Sequence, residues 1–362
     1  MKKTVVLLMS ALLCVCFLCG CRQSNAEPEP SVITGEVTIY TSHSEAEQQL
    51  FTAKFHELYP EVTINWVYES LAESIERLEA EKDDPQCDVL MGGLTQSDGG
   101  IYNHLFEQYT PYRIEEQSVI DEDHYYQYYT FQVLSFLVNK VELAKVGFVL
   151  SDIKGYTTLL HPQLTGLILS ADPATTYSGY RQLTSILAIY GDGDISASSN
   201  GWLYVRNLLK NMDGVFTSRG SDVTALIDSG EYAVGLSYES VCVQRQASRM
   251  IDVDVVYPEE GNTRMAYAAA MVKNCKNREL AGKVIDYLLS KEYGEERVKL
   301  LKGCRATNTR VTTSGIVPDL SELNMKELDV EAMIKNREEI LAKYYEIWEE
   351  LGGTKVDASD RE

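Results

Sequence analysis

The sequence predicts an α/β protein in which mostly parallel sheets are covered by helices. Patterns typical of strands alternate with patterns typical of helices along most of the chain, as expected for this class. Several predicted strands end in short turns, rich in serine and threonine, that lead into helices. The 362 residues are 44% hydrophobic, which is enough for real cores, and the length allows two domains of about 150 residues each.

The first part of the chain predicts three strands that alternate with helices. β-branched and aromatic residues alternate in the strands, and apolar residues recur three or four positions apart in the helices. The predicted elements are the strand Glu36–Tyr40, a helix beginning after Ser44, the strand Val62–Tyr68, the helix Ser70–Lys82, the strand Cys87–Met91 and a helix through Gly99–Phe106.

The remaining elements follow from the same two periodicities. Tyr125–Val138 is tyrosine-rich and then continuously apolar, which predicts a core strand. The other predicted strands are Gly166–Ser170, Glu231–Leu236, Val253–Tyr257 and Ala266–Val272. Helices are predicted at Ser151–Leu160, up to Tyr190, along Trp202–Met212, from Arg219, after Ser240, and at Leu280–Leu288, Gly294–Leu301 and Asp329–Leu351.

The turns between strands and helices form the candidate binding site. Open α/β sheets bind ligands at the carboxyl ends of their strands, and a helix N-terminus offers free N–H groups to an anion. The same serines and threonines also suit ordinary helix N-caps, so both interpretations stay open. The candidate ligand-binding residues are Ser42, His43, Ser44, Gly93, Thr175, Thr176, Ser178, Gly179, Ser221, Tyr238 and Glu239.

The N-terminus has the pattern of a lipoprotein signal peptide. Lys2 and Lys3 precede an apolar run, Thr4–Leu18, that is short for a membrane span. The run ends in Leu18–Cys21, which resembles the bacterial lipobox and implies lipidation of Cys21. We therefore expect a signal peptide at 1–20 and a polar linker at 21–34. The mature protein would face the outside of the cell membrane, held there by its lipid alone.

Charge and cysteine spacing argue against several classes of protein. A net charge of −21 disfavours nucleic acid as a partner. The segment Gly191–Ser199 lacks the glycine and the glutamate of a calcium loop. No CxxC pair occurs among the four cysteines after Cys21, so we expect no metal and no cofactor. Those cysteines are Cys87, Cys242, Cys275 and Cys304, and the sequence leaves their pairing open.

Two other classes of protein compete with a small-molecule binder. Gly235–Glu239 approaches the G-x-S-x-G motif of hydrolases but lacks its second glycine, and no histidine follows Ser237. We therefore expect no enzymatic activity. The 23 tyrosines suggest an adhesion or scaffold protein, but half-buried core and cleft-wall positions explain them more simply.

Several segments, in order, resemble the bacterial extracellular solute-binding proteins of ABC transporters. The most similar branches bind ferric iron, sugar phosphates and phosphonates. The resemblance covers about residues 36–350. It is carried by Val37–Trp66, by Asp88–Tyr112 with its DV strand and double glycine, by the turn SADPATTYSGY and by the strand GEYAVGLSYES. Further support comes from VYPEEG, from AAAMVKNCKNRELAGKVIDYLLSKEYGEE and from NREEILAKYYEIWEEL.

The resemblance implies a type II periplasmic-binding-protein fold of two α/β lobes with a ligand cleft between them. The chain would form lobe 1 at 35–134, lobe 2 at 135–256, and the second part of lobe 1 with the C-terminal helices at 257–362. We expect a monomer that passes its solute to an ABC-transporter permease.

The resemblance also bears on the ligand. Ferric binders of this family carry two adjacent tyrosines where this chain has Ser237–Glu239, with one tyrosine. His43 lies one residue short of the family's first-loop histidine, and Gly92–Gly93 replaces an acidic iron ligand. A small phosphorylated or phosphonate-like solute is therefore the expected ligand. A ferric-iron or polyamine binder of the same family is the alternative.

Overall fold

The computed structural model describes residues 33–191, 195–313 and 315–358. The predicted signal peptide, Cys21 and nearly all of the linker lie outside these residues, as does part of the loop Gly191–Ser199. Among the helices within the described ranges, none combines the length and the apolar character that crossing a membrane requires.

The described residues form strands and helices in the alternating order that the sequence predicts. The strands are β1 Gly35–Thr41, β2 Val62–Tyr68, β3 Val89–Thr95, β4 Phe106–Glu107, β5 Gln127–Asn139, β6 Ile168–Leu169, β7 Val215–Phe216, β8 Val234–Tyr238, β9 Val253–Val256, β10 Arg264–Val272, β11 Arg305–Ala306 and β12 Thr354–Lys355. The helices are α1 Glu45–Leu58, α2 Leu71–Ala80, α3 Lys140–Lys145, α4 Tyr177–Tyr190, α5 Ser199–Asn211, α6 Gly220–Asp228, α7 Glu239–Ser248, α8 Arg278–Leu288, α9 Lys291–Leu300, α10 Val330–Lys335 and α11 Arg337–Glu350.

The main sheet is parallel at both ends and antiparallel in the middle. Its order is β2-β1-β3-β10-β5-β8-β6, where β1 pairs in parallel with β2 and β3, and β6 in parallel with β8. The central strands β10 and β5 run antiparallel to each other and to their other neighbours. Strand β5 is long enough to pair with β10 through its first half and with β8 through its second. The α/β class is confirmed. The centre of the sheet is antiparallel because β10 and β5 lie between its two parallel ends and join them.

Separate hydrophobic cores flank the two ends of this sheet. Buried residues of β1, β3, α1 and α8 form one core with part of β10. Buried residues of α4, α5 and β8 form another, and the C-terminal helices α10 and α11 pack into it through Met333, Ile340 and Tyr344. The lobe boundaries at 35–134, 135–256 and 257–362 stay a prediction. The C-terminal helices nevertheless contact the core of the predicted second lobe.

Two predicted helices are wrong, each for its own reason. Gly99–Phe106 contains a short 3₁₀ turn, Asn103–Leu105, and Gly100 has φ of +81°, which ends regular helix. Ser151–Leu160 forms only 3₁₀ turns. Within it, Tyr156 N–H and Thr157 N–H donate to the Glu260 carboxylate at 3.0 and 2.7 Å, so they do not form helical bonds.

The single helix predicted at Asp329–Leu351 is instead two helices that meet at Asn336. The Tyr180 hydroxyl donates to the Met333 carbonyl at 2.7 Å. In a continuous helix that carbonyl would accept from the Arg337 N–H. A long-range side-chain contact therefore accompanies the break, which no local pattern indicates.

Candidate functional site

Four candidate residues of the first lobe line one cavity of about 330 Å³. Ser42, His43 and Ser44 come from the turn between β1 and α1, and Gly93 comes from β3. Ser44 occupies the N-cap position of α1, but its side chain makes no capping hydrogen bond. The N-cap interpretation therefore does not account for its hydroxyl. The sequence did not identify the other polar residues of this cavity, which include Glu47, Tyr129, Gln132, Tyr267 and Arg297.

A chain of polar contacts runs through His43 at this cavity. His43 Nε2 bonds the Tyr129 hydroxyl, and His43 Nδ1 lies 2.8 Å from the Glu47 carboxylate. Arg297 Nε donates to the other Glu47 oxygen at 2.6 Å. Burial alone would raise the pKa of Glu47, but Arg297 and His43 outweigh it and hold that pKa below its usual range. The Arg297 charge is thus balanced by a carboxylate inside the protein.

Positions 92 and 93 require glycine because of their backbone conformation and because neighbouring side chains approach them closely. Their φ angles are +91° and +86°, in the region that favours glycine. A Cβ on Gly92 would lie 2.8 Å from His43 Nε2, and one on Gly93 would lie 2.9 Å from Leu71 Cβ. Gly92 therefore lets the imidazole lie against β3, and Gly93 leaves room for Leu71.

The second-lobe candidates lie in two neighbouring turns, and several of their hydroxyls are already bonded. Thr176 caps α4: its Oγ1 accepts from Gly179 N–H at 3.0 Å and donates to the Asp172 carbonyl at 2.8 Å. Thr175 Oγ1 donates to the Ser218 carbonyl at 3.0 Å, which ties the two turns together. These two threonines shape the turns with their side chains, as the N-cap interpretation holds.

The remaining residues of these turns are closely packed or exposed. Gly179 has no room for a side chain, because a Cβ would lie 2.4 Å from the Ala171 carbonyl oxygen. Ser178 stands against Gly220, where a Cβ would lie 2.9 Å from its Oγ, and Ser221 is exposed. The Ser178 hydroxyl makes no hydrogen bond within the described residues, and the residue is 8% exposed.

Glu239 forms a buried ion pair with Arg305, and its predicted role in ligand binding stays a prediction. It is 1% exposed. Arg305 donates to both of its oxygens, from Nε at 2.7 Å and from Nη2 at 2.8 Å, and the Tyr257 hydroxyl adds a third bond at 2.7 Å. The carboxylate is therefore saturated by partners from distant parts of the chain.

Arg181, which is not among the residues predicted from the sequence, is a buried cation that has no counterion within the described residues. It is 2% exposed, and its Nη2 donates to Thr263 Oγ1 at 3.2 Å. Its Nε and Nη1 have no hydrogen-bond partner in the described part of the chain. Burial lowers the pKa of this guanidinium, and the nearby groups that oppose the shift are the hydroxyls of Tyr238, Tyr267 and Tyr156. A buried charge in this state is costly unless something pairs with it.

One sequence signal points to Arg181: it is the only charged residue in the helix Tyr177–Tyr190. The helix is otherwise apolar or weakly polar, so a lone arginine on it calls for a specific partner. The turn that carries the family resemblance ends one residue before it.

Tyr267 connects the His43 cavity with the surroundings of Arg181. Its side chain lines the cavity, and its hydroxyl donates to the Tyr238 hydroxyl at 3.0 Å. Both of these tyrosines lie near Arg181. The structure therefore links the first-lobe candidates through Tyr267 to Tyr238 and Arg181, and Arg181 belongs to the same helix as Ser178 and Gly179.

The N-terminus of α4 also contacts the first lobe. The Tyr177 hydroxyl donates to Asp98 Oδ1 at 3.2 Å, beside a cavity of about 300 Å³ that Tyr102 and Arg337 also line. Burial raises the pKa of Asp98, against bonds from Thr95 that lower it. Helix α4 therefore begins where the two predicted lobes meet.

The cysteines and acidic residues of the described ranges form no group that could hold a metal ion. Cys87, Cys242, Cys275 and Cys304 are all free. Within residues 33–191, 195–313 and 315–358, no group of three or more histidine, cysteine or acidic side chains is arranged to hold a metal ion.

Comparisons with known proteins identify the class of this architecture. A family model described as bacterial extracellular solute-binding protein matches residues 100–301. An uncharacterized protein of Haemophilus influenzae is 24% identical over 307 residues, which are 82% of this chain and 85% of the relative.

Solved structures agree with that family. The periplasmic binding protein AfuA from Actinobacillus pleuropneumoniae, with exogenous fructose 6-phosphate bound, superposes with a TM-score of 0.70 at 23% identity, covering 88% of this chain and 99% of AfuA. The ferric binding protein from Campylobacter jejuni gives a TM-score of 0.66 at 19% identity, over 87% and 99% of the two chains. These likenesses confirm the periplasmic-binding-protein fold.

Proposed function

The chain belongs to the bacterial extracellular solute-binding proteins, and on that premise we propose that it captures a small phosphorylated or phosphonate-like solute. Proteins of this family bind solutes and do not transform them, so the chain is not an enzyme. The solute would lie between the first-lobe cavity at His43 and the N-terminal part of α4, and would be delivered to the permease of an ABC importer.

The unpaired guanidinium of Arg181 carries this proposal. Two of its three nitrogens lack a partner in the described residues, and none of those residues supplies a carboxylate to it. An anionic ligand would supply both the missing charge and the missing acceptors. Guanidinium groups match phosphate geometry well because their N–H groups form a planar fork.

Arg297, the other buried arginine at the cavity, is less suited to this role. Glu47 already neutralises it at 2.6 Å, and Thr130 accepts a further bond from it at 2.8 Å. Its net attraction for an anion is therefore weaker. Since the whole chain carries a charge of −21, an anion has to be held by unpaired local donors rather than by the overall field.

The start of α4 supplies further donors near Arg181. Thr176 satisfies the Gly179 N–H, while the N–H groups of Tyr177 and Ser178 have no acceptor within the described residues. The Ser178 hydroxyl is also unengaged. Such first-turn N–H groups carry partial positive charge and favour anions.

Cationic ligands fit these surroundings poorly, although one similar structure is a ferric binding protein. Tyr238, the single tyrosine at the iron-binding position, bonds Tyr267 and lies near the Arg181 cation. A ferric ion or a polyamine there would meet an uncompensated positive charge. We therefore prefer an anion to either alternative.

Calorimetry of the delipidated protein tests the ligand class. We expect fructose 6-phosphate or another phosphorylated compound to bind, and fructose, spermidine and ferric citrate not to bind. Replacing Ser178 with alanine removes one hydroxyl donor and is expected to weaken binding about tenfold. Ser248→Ala, on an exposed serine at the end of α7, is the matched control and should bind like the wild type. Binding of the polyamine or the iron, with none of any phosphorylated compound, would contradict the proposal.

We also propose that Cys21 anchors the protein by its lipid at the outer side of the membrane. The lipobox-like Leu18–Cys21 and the short apolar run support this proposal. Cys21→Ser should release the protein into the soluble fraction, as followed by fractionation and blotting, because the thiol that accepts the lipid is lost. A variant that stays in the membrane after its signal is cleaved would rule out lipid anchoring.

A further inference from the structure

The C-terminal segment Thr354–Ala358 holds the two second-lobe turns that carry candidate ligand donors. It follows α11 and adds β12 to β7, with the Thr354 N–H donating to the Gly214 carbonyl at 3.0 Å. Gly353 fits against the Trp348 indole, where a Cβ would lie 2.0 Å from Nε1. Close packing and strand pairing therefore both hold the segment against the rest of the protein.

Asp357 bonds directly to the turn that precedes α6. Its Oδ1 accepts from the Ser218 N–H at 2.7 Å and from Thr217 Oγ1 at 2.9 Å. The next residue, Ala358, donates its N–H to Asp222 Oδ2 at 3.0 Å. These bonds fix the backbone of the turn whose Ser218 carbonyl accepts from Thr175.

Lys355 acts on the other turn through Asp172. That carboxylate is fully buried, and it accepts from Lys355 Nζ at 2.7 Å, from the Tyr345 hydroxyl and from the Ala174 N–H. The Asp172 carbonyl in turn accepts from Thr176, which caps α4. A buried carboxylate that loses its ammonium partner is costly, so the turn depends on Lys355.

We infer that Lys355 and Asp357 are positioning residues for ligand binding, an inference that rests on the proposed function. They contact neither Ser178 nor Arg181. They hold in place the two turns, one of which leads directly into α4 and so sets the position of its N-terminus. Because docking of the segment and binding of the anion favour the same arrangement of the turns, each stabilises the other. Ligand affinity therefore depends on a segment, Thr354–Ala358, that lies far beyond α6 in the sequence.

Asp357→Ala tests this inference with two measurements. In the ligand-free protein, amide hydrogen exchange across 170–179 and 217–222 should be faster than in the wild type. Binding of fructose 6-phosphate, measured by calorimetry, should weaken roughly tenfold, as expected when a charge-assisted bond is lost. Asp357→Asn keeps an acceptor oxygen at Oδ1 and should restore most of the affinity, which a merely destabilising role would not require. Lys355→Met should also weaken binding.

Matched controls remove the same kinds of side chain from exposed positions nearby. Glu349→Ala on α11 and Lys335→Met at the end of α10 are both exposed, and we expect wild-type affinity and exchange from them. Unchanged affinity in Asp357→Ala, in a protein whose wild type binds the probe, would overturn the inference. A wild type that binds neither fructose 6-phosphate nor inorganic phosphate would overturn the proposed function instead. The positioning role in ligand binding would fail with it, and faster exchange in the two turns of Asp357→Ala would then leave Asp357 a structural role only.

Discussion

Replacing Arg181 with methionine is expected to abolish measurable binding of the anionic ligand while leaving the ligand-free protein as stable as the wild type or more stable. Truncating one partner of a buried, hydrogen-bonded charge pair costs about 2–5 kcal/mol, or roughly 30-fold to several thousand-fold in affinity. Without ligand, the same change removes a desolvated cation whose Nε and Nη1 have no partner in the described residues. Apolar replacement of such buried charges is often neutral or stabilising by about 1–4 kcal/mol.

The opposite signs of these two effects distinguish a binding residue from a structural one. Calorimetry measures the affinity, and thermal unfolding without ligand measures the stability. Arg249→Met is the control, because it removes one positive charge from an exposed arginine outside the site. If Arg181→Met lowers the unfolding temperature and leaves affinity unchanged, the arginine is a structural residue and the anion lies elsewhere.

Replacing Glu239 with methionine is expected to destabilise the protein more than any other change considered. Arg305, itself buried, would keep its charge and lose its carboxylate partner. Breaking a buried pair in this way costs about 3–5 kcal/mol. At about 2–4 °C for each kcal/mol, the unfolding temperature should fall by roughly 6–20 °C. Differential scanning calorimetry measures this shift.

A double variant distinguishes the loss of the Glu239–Arg305 ion pair from the loss of a contact between Glu239 and the ligand. Glu239→Met with Arg305→Met removes both charges, and we expect it to recover most of the stability, since similar replacements of whole ion pairs are tolerated. Its affinity for the phosphorylated ligand should match that of the wild type. A double variant that is stable but no longer binds the ligand would indicate that Glu239 belongs to the binding site.

Local patterns predict the elements of this protein better than they predict its helix boundaries. The strands β1, β2, β3 and β8 follow from alternation and apolar runs, and α1 follows from Phe51 and Phe55, which are fully buried. Leu58, which shares their predicted face, is 59% exposed because the helix ends there. Where the helix predicted at Ser151–Leu160 is wrong, a group far away in the sequence accepts the backbone bond, as Glu260 does from Tyr156.

The candidate site shows the same limit. The turns that carry His43 and Ser178 are recognisable locally, because their residue types mark a strand end and a helix start. The saturation of Glu239 depends on Arg305, 66 residues away, and on Tyr257. Arg181 lacks hydrogen-bond partners for Nε and Nη1 because the fold brings no acceptor near them within the described residues. No local sequence pattern contains either of these facts.

A crystal structure of the protein with fructose 6-phosphate, or with the phosphorylated compound that binds most tightly, tests the central claim most directly. We predict that phosphate oxygens lie about 3 Å from Arg181 Nε and Nη1, with the Ser178 hydroxyl as a further donor. The organic part of the ligand would then extend toward Tyr267 and the cavity at His43. A ligand whose phosphate lies against Arg297, or a cation or apolar group next to Arg181, would contradict this account.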